Sequence, residues 1–369
     1  MAKILVSGAL ANKPLSGGEA WVRLSWLRGL RSLGHEVCFA EQIERADPVN
    51  LESFRVAIGA LAPDCPVALI CDGRSEAGLT LEELTAWARR ADLLVNISGH
   101  LEIEAVKEGP RRRAYVDVDP GFTQIWAGEG GAARLEGHDT YFTVGENIGM
   151  PGCRIPTAGL DWLPLPPPVT LADWPLVPAP AGARFTTVAT WRSPLGTLAD
   201  GEAAFEGKHH QWRRLIHLPR RSPQQFEIAL RIDPADEADE IALEANGWHL
   251  VDPREVAGDP LAFRSYVQAS AAELSVAHPV YVETASGWIS DRTVRYLASG
   301  RPALVQDTGI GDRYPVGEGL LTFRTPDEAL AGAEAIAADH RGHSRAARAL
   351  AEAHFDSDRV LGRFLEAAL

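Results

Sequence analysis

The run Ser290-Asp-Arg-Thr-Val-Arg-Tyr-Leu-Ala-Ser-Gly-Arg-Pro-Ala-Leu-Val-Gln-Asp-Thr-Gly309 decides the fold. It reads as a helix that opens at Ser290, stops at Gly300 and turns through Pro302 into a buried strand ending at Asp307-Thr308-Gly309. A Ser-opened helix leaves its first N–H groups without intrahelical acceptors and aims them outward, which favours an anion. Ser290, Asp291, Arg292 and Thr293 are therefore candidate anion-binding residues.

Working outward, strands and helices alternate on both sides of this unit. Lys3–Ser7 is an apolar strand, Trp21, Leu24, Leu27, Leu30 and Leu33 recur at helical spacing, and Gly34 leads into the strand Glu36–Ala40. That is a βαβ unit and implies a parallel sheet with a right-handed crossover. Further strands are predicted at Val67–Cys71, Leu93–Ile97, Ala114–Val118 and Tyr141–Val144, and again from Phe185 to Phe323. Between the two series lie Pro156, Pro164, Pro166, Pro167, Pro168, Pro175, Pro178 and Pro180, with Trp162 and Trp174. Proline excludes helix interiors and central strands, so this is an extended connector, and its tryptophans predict that it packs on a surface. The expected organisation is α/β, with doubly wound Rossmann-like domains at 1–155 and 182–342, a linker at 156–181 and C-terminal helices at 343–369.

Composition narrows the function classes. The 369 residues carry a formal net charge of −14, which opposes nucleic-acid binding, and Arg111-Arg112-Arg113 is too short to reverse it. No apolar run reaches the roughly 18–20 residues that span a bilayer. Cys38, Cys65, Cys71 and Cys153 form no CxxC pair or disulfide framework. A cytoplasmic location is expected.

In parallel sheets, ligands sit outside the carboxyl ends of the strands, so only loops at those ends compete for an active site. The loop Ser7–Gly18 ends in Gly17-Gly18, which would let backbone approach a ligand, but it is not a dinucleotide fingerprint. After the first strand of the second domain come Arg192 and Lys208, two cations suited to a diphosphate. His209 and His210 are expected to point apart, and no metal or other cofactor is predicted. Glu283, Ser286, Gly287 and Asp307 are candidate contacts to a sugar or nucleotide. His100 and Asp119 end adjacent strands of the first domain and are candidate bases, with His100 favoured because its ordinary pKa suits proton transfer near neutrality. Asp117-Val-Asp119 has the spacing of a metal-binding pair, and the alternative reading makes Asp119 a turn former before Pro120.

On these residues the chain resembles bacterial glycosyltransferases of the GT-B architecture, with two Rossmann-like domains facing across a cleft. Asp291–Thr308 and Gly317–Ala329 are most similar to the spore-maturation-protein-like (glycosyltransferase family 1/4-like) branch. The resemblance implies a nucleoside-diphosphate-sugar donor bound by the C-terminal domain and a small-molecule or glycan acceptor bound by the N-terminal one. Many retaining members carry a ribose-holding Glu in the motif before Gly-x-Pro, where this chain has Arg295. Either Asp291, one helical turn earlier, substitutes for that Glu or ribose recognition differs. Rival readings are a nucleotide-sugar 2-epimerase of the same fold and a non-catalytic sugar or nucleotide binder.

Overall fold

The computed structural model describes residues 1–128, 130–131, 133–193, 196–200 and 203–369. Its first sheet has eight strands: β1 (Lys3–Ser7), β2 (Glu36–Ile43), β3 (Val67–Cys71), β4 (Arg74–Gly78), β5 (Leu93–Ile97), β6 (Arg112–Asp117), β7 (Thr140–Thr143) and β8 (Trp162–Pro164). They run in the order β4-β3-β2-β1-β5-β6-β7-β8, parallel throughout except for the β3–β4 pair. Helices cover both faces, which is why Ile4, Leu5 and Val6 of β1 and all of β5 are buried runs and not alternating ones. The second sheet contains β9 (Phe185–Thr190), β12 (Phe226–Arg231), β13 (His249–Val251), β14 (Ala272–Ser275), β15 (Ala303–Gln306) and β16 (Leu320–Phe323); β10 (Leu198–Asp200) and β11 (Ala203–Phe205) form a separate hairpin. Its order, β13-β12-β9-β14-β15-β16, is all parallel. Both sheets reverse direction beside their first strand, so each has a switch point, between β1 and β5 and between β9 and β14.

Four strands escape the sequence reading: β4, β8 and the β10–β11 hairpin. β4 follows the tight turn Asp72-Gly73, whose φ angles of 48° and 76° are those of a hairpin turn. β8 extends the first sheet to Pro164, past the boundary expected at residue 155, because Tyr141–Thr143 pairs with Trp162–Pro164. The proline-rich segment then crosses between the domains with Trp174 fully buried. Its ring lies 4.9 Å from Trp21 and 6.1 Å from Phe263.

The domains share this packing. Helix Gly17–Ser32 of the first meets helix Pro260–Ala269 of the second, and the Trp21 indole donates to the Pro260 carbonyl at 2.8 Å. The last helix, Ser357–Ala368, returns to the first domain, where Phe364 contacts Trp26 and Phe142 at ring separations of 4.9 and 4.6 Å. The switch points are thereby held face to face.

Candidate active site

At the first switch point the loop after β1 is shaped from below. Glu41, fully buried at the end of β2, accepts the amides of Ala11 and Asn12 at 2.6 and 2.8 Å, and burial lifts its pKa to about 7. Gly17 and Gly18 turn out to serve the partner domain. A Cβ on Gly17 would lie 2.1 Å from the Asp259 carbonyl, and one on Gly18 would lie 3.3 Å from Phe263. Their bareness admits the second domain, where the sequence suggested room for a ligand.

His100 follows β5 through Ser98 and Gly99, both left-handed with φ of 54° and 64°. This kink, unusual at Ser98, carries His100 off the end of the sheet. Burial foremost, then Arg23, Arg134 and Lys13, push its pKa down to about 3, so the ring is neutral and weakly basic. Asp119 is half-buried, and its carboxylate accepts no hydrogen bond among the described residues. Burial, reinforced by Glu19 and Asp117, raises its pKa to about 6. Asp117 differs: its oxygens accept from Thr123, Gln124, Thr143 and the Asp119 amide at 2.7–3.0 Å. A carboxylate so occupied shapes the loop and has little left for a metal. Glu19 faces Asp119 and pairs with buried Arg23; against the cost of burial, Arg23 and Lys13 hold it below its usual range.

At the second switch point Lys208 stands apart. Among the described residues its ammonium has neither a hydrogen-bond nor an ion-pair partner. Burial, then the nearby Arg292 guanidinium, lower its pKa to about 8. Ser290 caps helix Asp291–Ala298 by accepting the Arg292 amide at 3.2 Å. Beneath that turn, Ser275, Ala277, Ser290 and Thr293 line a cavity of about 10 Å³, room for roughly one water.

Several expected contacts are engaged elsewhere. Arg192 makes a two-pronged pair with Asp236 at 2.6 and 2.7 Å, turned toward the loop after β12. Arg292 folds under its helix to fully buried Glu273 at 2.6 Å, Ser275 at 2.6 Å and the Val188 carbonyl at 2.8 Å. Ser286 bonds the Tyr281 carbonyl, and Gly287 gives room to Asn147, which a Cβ would meet at 2.6 Å. Glu283 is exposed, with Arg154 holding its carbonyl. Asp307 accepts the Gly309 amide at 2.8 Å and pairs with Arg324 at 2.7 Å. Asp291 pairs with Arg295 at 2.8 Å, and Arg295 reaches Ser25 of the first domain at 3.1 Å. Asp291 is nonetheless one-third exposed and electrostatically coupled to Glu19 across the cleft. The rings of His209 and His210, expected to diverge, lie 4.1 Å apart at the start of helix His209–Arg214.

Sequence reasoning passed over Glu19, Arg23 and His278. His278 ends the loop after β14 beside Lys208 and is almost wholly buried; His-Pro directly after a buried strand was its only signal.

No protein-family model matches the sequence, and no curated protein does. Solved structures do match. An alpha-glucosyltransferase in complex with UDP-glucose and DNA containing an abasic site is 12% identical, with a TM-score of 0.62 over 99% of this chain and 98% of that one. Anabaena HepE in complex with UDP and glucose is 12% identical, with a TM-score of 0.59 over 100% and 99%. Sucrose-phosphate synthase from Thermosynechococcus elongatus is 14% identical, with a TM-score of 0.56 over 100% and 99%. The chain thus has the GT-B fold of glycosyltransferases, two Rossmann-like domains across a cleft. Among the described residues no helix is long and apolar enough to cross a membrane.

Proposed function

We propose that this protein transfers a sugar from a nucleoside-diphosphate sugar to an acceptor hydroxyl, without a bound metal. One observation carries the reading: Lys208 is a desolvated cation without a partner among the described residues, beside a second cation at the switch point of the C-terminal sheet. An isolated buried charge is costly until an anion meets it. The neighbours bound to UDP or UDP-glucose make a uridine diphosphate sugar the first donor to try. Among the GT-B folds, the runs Asp291–Thr308 and Gly317–Ala329 favour the spore-maturation-protein-like branch.

In this reading the bond from the sugar's anomeric carbon to the diphosphate oxygen breaks, and its electrons leave with the diphosphate. Lys208 and the Ser290 turn stabilise that developing charge. The acceptor oxygen bonds to the anomeric carbon, and its proton passes to Asp119. Asp119 replaces His100 as base because a carboxyl near pKa 6 is better matched to neutral pH than an imidazole near 3. His100, neutral, is left to hydrogen-bond a substrate hydroxyl. The net charge of −14 favours a small-molecule or glycan acceptor over the DNA seen with one neighbour.

The test is a thermal-shift and calorimetric screen of UDP, dTDP, GDP and NAD, followed by transfer assays with and without EDTA. A nucleoside diphosphate should raise the melting temperature by linkage, and transfer should survive chelation. If none of the diphosphates binds, the reading is wrong. Exchange of a sugar C2 proton with solvent, without transfer, would favour the epimerase.

A further inference from the structure

His278 has an Nε2 with no hydrogen-bond partner of normal geometry among the described residues. Its Nδ1 accepts the Val280 amide at 3.2 Å, which caps helix Pro279–Glu283. A ring nitrogen that accepts carries no proton, so the neutral imidazole holds its hydrogen on Nε2. That Nε2 is buried and makes no hydrogen bond of normal geometry, although the Gly196 carbonyl lies close enough to favour the protonated ring. Burial and then Lys208 outweigh that influence and bring the pKa down to about 4, so the ring is neutral wherever the protein would work. Phe122 of the first domain stacks edge-on at 4.9 Å and fixes the ring plane. His278 and Lys208 thus approach one another from the loops after β14 and β9, adjacent strands at the switch point.

Resting on the nucleoside-diphosphate reading of this cleft, we infer that His278 donates its Nε2–H to an oxygen of the same diphosphate that Lys208 holds. The pair divides the work. Lys208 supplies charge from a flexible stem, whereas His278 supplies direction from a ring whose tautomer and plane are both set by the fold. A neutral donor also adds no third cation to the Lys208–Arg292 neighbourhood, so the unliganded site avoids further repulsion.

The experiment uses the full-length protein and two variants. His278→Asn keeps an acceptor for the Val280 amide, since Asn is a good helix cap, but offers no donor at the Nε2 position. His278→Gln can return an amide N–H to about that reach. UDP, dTDP and GDP binding is measured by calorimetry, and the His278 ring nitrogens are followed by NMR in the parent protein. His278→Asn should weaken diphosphate binding about 10-fold to 100-fold, the range of a hydrogen bond to a charged group, and His278→Gln should recover part of it. The Nε2–H signal of the parent should shift on saturation. Unchanged affinity in His278→Asn, or an Nε2 signal indifferent to bound diphosphate, overturns the inference. If the parent binds no diphosphate, the cleft reading itself has failed. If Lys208→Ala loses affinity and His278→Asn does not, only the role of His278 is lost.

Discussion

At the first switch point, between β1 and β5, arginines come with carboxylates: Arg23 with Glu19, Arg134 with Glu102. At the second, between β9 and β14, Arg292 is spoken for by Glu273, but Lys208 has no partner among the described residues. The first site also holds a carboxyl raised into the working pH range, while the second holds a neutral imidazole whose buried Nε2 has no hydrogen-bond partner of normal geometry among the described residues. One sheet topology therefore places two loops at two equivalent edges with different charge environments. Balanced charges around a perturbed carboxyl suit proton transfer; an unbalanced cation suits anion capture.

The sharpest way to break this contrast is Asp119→Asn. It should lower turnover by about 10²–10⁴-fold while leaving diphosphate affinity unchanged. Because the Asp119 pKa is raised to about 6, activity of the parent should climb as pH rises through 6, when the carboxyl ionises, and the variant should lack that limb. A comparable loss in His100→Ala, with a normal pH profile in Asp119→Asn, would return the base role to His100.

Arg292→Ala tests whether that arginine is scaffold or ligand. It strands fully buried Glu273, and breaking a buried pair costs about 3–5 kcal/mol, so denaturant unfolding should show a large loss of stability. A stable variant that merely binds diphosphate poorly would make Arg292 a ligand after all. Lys208→Ala should have the opposite signature. Diphosphate affinity falls about 10-fold to 100-fold, yet the unliganded protein is no less stable, since an unpaired desolvated charge has gone. In the parent, affinity should decline as pH rises through about 8, where the free ammonium loses its proton.

Gly17→Ala should lower stability by about 1–3 kcal/mol through overpacking, with diphosphate affinity preserved. Weaker binding with intact stability would restore the loop as a ligand site. Arg192→Ala is expected to do least. The exposed Arg192 is already committed to Asp236, away from Lys208, so calorimetry should find the dissociation constant changed by less than about twofold.

These outcomes bear on what was readable in advance. His100, Asp119, Lys208 and Ser290 could be singled out as candidates because a parallel sheet puts strand ends on one edge, and strand ends follow from apolar runs. The ion pairs of Arg192 and Arg292 were not legible, because a long cation takes the nearest unmet carboxylate, and Asp236 and Glu273 come from other segments. Glu273 did carry a signal: a Glu inside a predicted buried strand requires a cation. The Asp72-Gly73 turn likewise announced β4. Gly17 and Gly287 show the limit of reading glycine, since a missing Cβ signals close approach without naming what approaches.

By itself, the order of apolar runs, glycines and caps determined two parallel sheets, their switch points and a helix start facing the cleft, because these rest on short-range periodicity and backbone hydrogen bonding. Tertiary structure alone decided which charges are neutralised, which imidazole is buried with its proton on Nε2, and which glycines admit a domain. Those depend on distances between segments far apart in sequence, where burial and Coulomb interaction act and local pattern carries no information.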